Sequence, residues 1–313
     1  MQTVVVPLTD PWQDPDRVAE CALPFARELA ARGHARVVLV NVIEVPTELG
    51  PLSGALGVVF SKGLEKWASD CREYLEAVAR TFEGGDVRTV VLHGEVGSQL
   101  LMLLDEVPDP VVVMASHCRR GPRRLLFGSV AFQLVHAARC PVMVVPPEFR
   151  RLHDPAPIGL HRVLVPLDGT VSGDETLRVL GDVLGDGLRI QLLRVLESSD
   201  AAWYYTEVER QALRRRAEDS LAETAQRLRD AGDDASPAVV EGKTDEEIVR
   251  VADDFGAELL AMPTHGRAGL SRLMLGSVAE RLANMGHRPL LLIPVNYAGR
   301  LGGALQGPAG APG

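Results

Sequence analysis

Lysine is nearly missing from this chain: only Lys62, Lys66 and Lys243 stand among its 33 basic side chains. The rest are arginine, which we read as genomic bias. Cysteine is scarce too. Cys21, Cys71, Cys118 and Cys140 all lie in the first half, with neither the close pairs of a zinc site nor the density of a disulfide scaffold. Each is expected to be a small buried hydrophobe. No apolar run reaches the roughly 18 residues of a membrane span. The opening MQTVVVPLTD has no basic stretch and meets an acid at Asp10, unlike a signal peptide. A cytoplasmic protein with reduced thiols is the expectation. An excess of positive charge is also lacking. The formal net charge is -9; residues 1–150 carry 18 acids and 15 bases, and the remainder 24 and 18. That excludes a nucleic-acid binder working by broad phosphate neutralisation.

What is present is an ordinary globular composition, 46% hydrophobic and 24% charged over 313 residues, a length suited to about two domains. An internal repeat divides it. VVVMASHCRRGPRRLLFGSVAFQLVHAARCPVMVVPP begins at Val111 and LLAMPTHGRAGLSRLMLGSVAERLANMGHRPLLLIPV at Leu259. Gly128 and Gly276, like Pro141 and Pro289, are 148 positions apart, and the opening VVVPLTD at Val4 resembles VLVPLDG at Val163. A unit of this length is a duplicated domain rather than a solenoid repeat.

Within each unit, apolar strands alternate with amphipathic helices. The first half reads as strands at 3–7, 36–42, 87–92, 111–115 and 142–145, with helices at 16–32, 61–82, 97–104 and 129–138. The second repeats the order, with strands near Val163, Ile190, Ala238, Leu259 and Leu290. Its longest helix is expected over 203–229, with Leu213, Ala217, Leu221, Thr224 and Leu228 on one face. Continuous apolar strands between helices imply a parallel sheet covered on both faces. Two tandem doubly wound five-stranded α/β sheets follow, Rossmann-like, with ligand sites outside the carboxyl ends of the strands.

The loop after the fourth strand of the second half, PTHGRAGLSRLMLGS, runs from Pro263 to Ser277. Gly266 leaves room for close backbone approach, and Gly276-Ser277 opens a helix whose unpaired N–H groups and dipole attract phosphate. Ser277 and Glu280 also have capping-box spacing, as do Thr244 and Glu247. An ordinary capped helix start explains the same pattern without any ligand.

The paired segments, with the openings VPLDG and VPLTD, resemble the universal stress protein family in tandem form, over about 1–147 and 161–297. Residues 148–160 form the linker and 298–313 a tail expected to be disordered. The resemblance implies a non-catalytic adenine-nucleotide-binding protein of the stress response, sheet order 3-2-1-4-5, and two units pairing through edge strands within the chain. The closing strands at 142–145 and 290–293 should then lie near a pseudo-two-fold axis, since an uncovered apolar edge is a liability. Whether a further homo-oligomer forms is left open, as is the protein partner. The family's nucleotide binders carry G-x-x-G, nine residues, then G-[ST]. The second half matches at Gly266, Gly276 and Ser277. Asp168 falls on the acid that faces adenosine, Pro166 and Val195 border the same group, and Val278 and Ala279 would offer N–H groups to phosphates. The first glycine is replaced by Pro263, which has no N–H and a fixed φ. In the first half Ala115 and Cys118 replace both glycines and Thr9 stands where the acid belongs, leaving Gly128, Ser129 and Val130. ATP, with or without Mg²⁺, is therefore expected in the second half.

Arg119, Arg120, Arg123 and Arg124 in the first loop, and Arg267 and Arg272 in the second, are either phosphate clamps or solvated loop residues. His117 and His265 lack partners at metal spacing, and no metal or catalytic residue is expected. Trp203, Tyr204 and Tyr205 are expected to pack at a helix start. An ATPase on this fold is the competing enzyme reading, without a GxxxxGK[ST] or GxSxG motif to support it. A ligand-free interaction module is the third.

Overall fold

The computed structural model describes residues 2–44, 55–116, 128–147, 158–169, 172–197, 206–264, 276–285, 288–294 and 297. In the first half the strands are β1 (Thr3–Pro7), β2 (Arg36–Ile43), β3 (Val87–His93), β4 (Pro110–Ala115) and β5 (Val142–Val145). Between them run α1 (Leu23–Gly33), α2 (Ala55–Ala79), α3 (Val96–Glu106) and α4 (Ser129–Ala137). The second half has β6 (Arg162–Pro166), α5 (Ser172–Leu184), β7 (Arg189–Glu197), α6 (Glu207–Asp230), β8 (Asp234–Gly242), α7 (Thr244–Phe255), β9 (Leu259–Pro263), α8 (Ser277–Met285) and β10 (Leu290–Ile293).

All ten strands join one sheet in the order β3-β2-β1-β4-β5-β10-β9-β6-β7-β8, so each half is wound 3-2-1-4-5. Every pairing is parallel except that of β5 with β10, which sets Leu291 opposite Met143. Both side chains are fully buried. Alternation along the strands sends side chains to two cores. Val4 and Val6 of β1 pack with Phe25 of α1, Leu75 of α2, Leu180 of α5 and Leu221 of α6. Val5 packs on the opposite face with Leu100 of α3, Leu134 of α4, Ile248 of α7 and Leu282 of α8. The duplication extends to detail: Arg36 pairs with Asp86 at 2.7 Å and, at the equivalent place, Arg189 with Asp234 at 3.1 Å.

Three helices differ from the sequence reading, the first being the one expected at 61–82, which runs at Ala55–Ala79. The expected helix at 16–32 is a 3-10 turn at Val18–Ala22 followed by α1. Pro24 is the cause, because it cannot donate to the carbonyl four residues back and its ring crowds that carbonyl. In α6 only Leu221, Thr224 and Ala225 are buried, while Leu213 is exposed. Residues 203–205 and the tail 298–313 lie outside the described residues.

Candidate functional site

The winding direction of the second half changes between the neighbouring strands β6 and β9, and their carboxyl ends open the crevice that such a switch point creates. From β6 the chain passes through Pro166 to Leu167, whose N–H donates to Leu193 O at 2.8 Å. Asp168 follows, half-buried, with its Oδ2 shielded from solvent. Gly169 then turns with φ +78, and a Cβ there would come within 2.9 Å of Arg194 Nη1. That guanidinium donates to Leu167 O at 3.1 Å, so β7 supplies an arginine packed on the turn that carries Asp168. Val195, next along β7, is half-buried against the core under α7 and α8.

β9 ends at Pro263. Thr264 N–H donates to Ile293 O at 2.9 Å, and Thr264 O accepts from Gly276 N–H at 2.8 Å. Thr264 and Gly276, which flank residues 265–275, are thus joined directly. Glu280 N–H donates to Gly276 O at 2.9 Å, which makes Gly276 the cap and Ser277 the first helical residue. The expected Ser277–Glu280 capping box is one position out of register: the extra bond from Gly276 to Thr264 sets the helix start. Ser277 is exposed, Val278 half-buried and Ala279 buried. What this turn offers a ligand is the backbone N–H groups that open any helix, together with the positive end of its dipole. Gly266, His265, Arg267 and Arg272 lie outside the described residues.

The first half shows the same scaffold with its polar groups turned inward. Asn41 occupies the place of Arg194, and its Nδ2 donates to Leu8 O at 3.0 Å. Asp10 replaces Gly169. It is 1% exposed, and Oδ1 accepts from Trp12 N–H and Gln13 N–H, each at 3.1 Å. Asp10 Oδ2 and Asn41 Oδ1 are both buried without a hydrogen-bond partner. Thr9, at the position of Asp168, brings no charge. Gly128 caps α4 in extended conformation with no side-chain cap, ahead of exposed Ser129 and half-buried Val130. Among the described residues no bond from Gly128 to Ser116 matches the Gly276–Thr264 clasp. Ala115 ends β4, 3% exposed; Cys118, His117 and the first loop's arginines lie outside the described residues.

Sequence reasoning missed three features. Arg194 was legible only by aligning it with Asn41. The burial of Asp10 and of Asn41 needed the register of β1 on β2 and the turn after β1. An ion pair joins α7 to α8, with Arg281 Nε at 2.9 Å from the buried Asp245 Oδ2. The capping box expected at Thr244 is absent, since Lys243 holds the cap position and Thr244 Oγ1 donates to Glu197 Oε1 at 2.5 Å. A full capping box stands instead at Thr206 and Glu209 of α6. Among the described residues no three His, Cys, Asp or Glu side chains converge as a metal site, and no helix is long and apolar enough to cross a membrane.

A model of the universal stress protein family matches residues 1–146 and 159–294. A universal stress protein of Mycobacterium tuberculosis is 30% identical over 192 residues, 58% of this chain and 61% of that one. One from Methanocaldococcus jannaschii is 31% identical over 77 residues, 25% of this chain and 48% of that one. The chain therefore spans about half to three-fifths of these relatives' lengths. In three dimensions, a universal stress protein crystal structure from Archaeoglobus fulgidus superposes with a TM-score of 0.63 over 93% of this chain and 98% of that one, at 16% identity. At that identity the likeness is one of fold.

Proposed function

Because this chain belongs to the universal stress protein family, with two copies of the family's unit in tandem, we propose that it is a cytoplasmic regulatory protein binding one adenine nucleotide in its second half. The observation that carries the reading is the pairing of two elements at one switch point. Asp168 stands on the turn after β6, and the helix start of α8 is fixed to the end of β9 by the Gly276–Thr264 bond. A carboxylate suits hydroxyl and amine donors of a nucleoside, and an open helix start suits its phosphates. Backbone N–H groups at the first turn of α8, at Ser277, Val278 and Ala279, would hold the phosphates. Pro166 and Val195 would border the base, and Arg194 keeps the turn under Asp168 in place. Mg²⁺, where it enters, would be held by the phosphates themselves.

The inward-facing Asp10 argues against a second nucleotide in the first half, because both of its acceptor groups lie beneath the surface.

The role is binding rather than turnover. Helix-start N–H groups stabilise ground state and transition state alike, which leaves the rate constant unchanged. The nearby acid Asp245 is held by Arg281. Two assays on freshly purified protein test this. Acid extraction and chromatography should release adenine nucleotide approaching one equivalent per chain. Phosphate release from added ATP should run far below the roughly 1–100 s⁻¹ typical of kinases. Release within that range, abolished by Ser277→Ala, would overturn the non-catalytic reading. A chain that neither carries nor takes up nucleotide would overturn binding itself.

A further inference from the structure

The duplication supplies an internal control at the two outer edges of the sheet. β3 and β8 are its edge strands, and the ion pairs of Asp86 and Asp234 set their residues in correspondence, 148 positions apart. Bonding to the neighbouring strand fixes which main-chain groups face outward. Asp234 N–H donates to Leu188 O at 2.8 Å, Val37 N–H to Asp86 O at 2.8 Å and Gly94 N–H to Ile43 O at 3.0 Å. In a parallel ladder alternate residues bond inward. The outward groups therefore belong to Ala235, Pro237, Val239 and Glu241 in β8, and to Val87, Thr89, Val91 and His93 in β3.

The β8 edge is blocked along its length. Arg229 Nη1 donates to Ala235 O at 2.6 Å. Pro237 has no N–H to offer. Arg214 Nη2 donates to Val239 O at 3.4 Å, and its Nη1 bonds the Glu241 carboxylate at 3.1 Å. β3 is open instead. Thr89 stands where β8 has proline, and among the described residues nothing bonds to the outward main-chain groups of β3. Its 7 residues pair with β2 without a bulge and include one arginine, Arg88, so most devices that keep edges from pairing are missing. The surface beside this edge is apolar on both faces. Val90 and Leu92 are half-buried on the face that carries α3. Val91 is half-buried on the other, beside Leu64 and Trp67 of α2.

We propose that β3 is a docking edge for an extended segment of another protein, basic at its ends and β-branched at its centre. The segment adds a strand to the sheet through its main chain, and its alternating side chains cover Val90 and Leu92 on one face and Val91 and Trp67 on the other. Charge selects the basic ends. Exposed Glu83 and Asp86 precede β3 and exposed Glu95 follows it. The chain as a whole carries -9, a field that attracts a cationic segment and repels a second copy. Nothing in this assignment depends on nucleotide binding.

Fluorescence anisotropy of a labelled synthetic peptide, KRTVIVTVRK, titrated with the full chain tests it. Binding should saturate below about 1 mM, and the acidic-ended EDTVIVTVDE should bind at least about tenfold more weakly. Thr89→Pro copies Pro237, so the fold should survive by circular dichroism while affinity for the basic peptide falls at least about tenfold. Amide hydrogen exchange on the parent chain gives a readout that needs no variant. The peptide should slow exchange at Thr89, Val91 and His93 and leave Val90 and Leu92 unchanged. Absence of binding, binding indifferent to Thr89→Pro, or protection elsewhere than β3 overturns the docking edge. Equal binding of the acidic peptide, or self-association of the chain that Thr89→Pro abolishes, overturns the assignment of its partner.

Discussion

At the scale of single residues, local hydrogen bonds and burial set measurable properties. Glu95 caps α3, its Oε2 accepting from Ser98 N–H at 2.7 Å and its Oε1 from Gly97 N–H at 3.1 Å. Bonding to Ser98 is the main reason its carboxyl sits below the ordinary value of 4.5. A depressed folded-state pKa stabilises above the unfolded pKa, and that stability drains away as pH falls through the folded value. Glu95→Ala should therefore lose about 1 kcal/mol or less at pH 7, the group being exposed and screened. The gap between variant and parent should narrow at pH 3 in urea melts. The thiols run the other way. Burial pushes Cys140 up to about 12, with Asp105 adding to it, and Cys71 up to about 11, with Asp10 and Asp70 adding. Raised thiol pKa values mean almost no thiolate at pH 8. Iodoacetamide at that pH should spare Cys71 and Cys140 in the folded protein and label both in urea. Labelling of Cys71 or Cys140 in the folded chain at free-thiol rates, read by peptide mapping, would contradict the burial.

At the scale of elements, the contrast between Gly97 and Asp245 shows how one helix pair is solved twice. A Cβ at Gly97 would fall 1.9 Å from Gln133 Oε1, so the first half lets a glutamine lie across its α3–α4 crossing. The second half spans the equivalent crossing with the Asp245–Arg281 ion pair. Gly97→Asp alone should cost about 3 kcal/mol, since Gln133 must move and an acid is buried unpaired. Adding Gln133→Arg should recover about 0.5–1 kcal/mol as coupling in a double-mutant cycle; additive losses would show that the two crossings are not interchangeable. Elements are also where sequence reading did best and failed most instructively. β1 and β5 stand where apolar runs bounded by proline put them, because a strand buried on both faces leaves an unmistakable signature. The break before α1 was written in Pro24 but masked by helical spacing on either side of it. The capping boxes at Ser277 and Thr244 failed because that spacing cannot say which of two adjacent residues closes the first turn. At Ser277 a long-range bond to Thr264 decided it.

At the scale of the whole molecule, duplication leaves two copies of one scaffold in a single sheet, with different groups at the same switch point. The repeat and the alternation of strands and helices were legible from periodicity and matched motifs, and the strand order came with the family resemblance that those motifs carry. The burial of Asp10 was not, since it rests on a turn in which Trp12 and Gln13 N–H donate to its Oδ1. On the function proposed above, that asymmetry becomes an expectation of one nucleotide per chain, in the second half. Isothermal titration of the full chain with ATP, alongside Asp168→Ala and the equivalent Thr9→Ala, measures this directly. We predict a stoichiometry of one, an affinity at least about tenfold weaker for Asp168→Ala, corresponding to about 1.4 kcal/mol, and no change for Thr9→Ala. Two equivalents per chain, or a single equivalent weakened by Thr9→Ala and indifferent to Asp168→Ala, would contradict it.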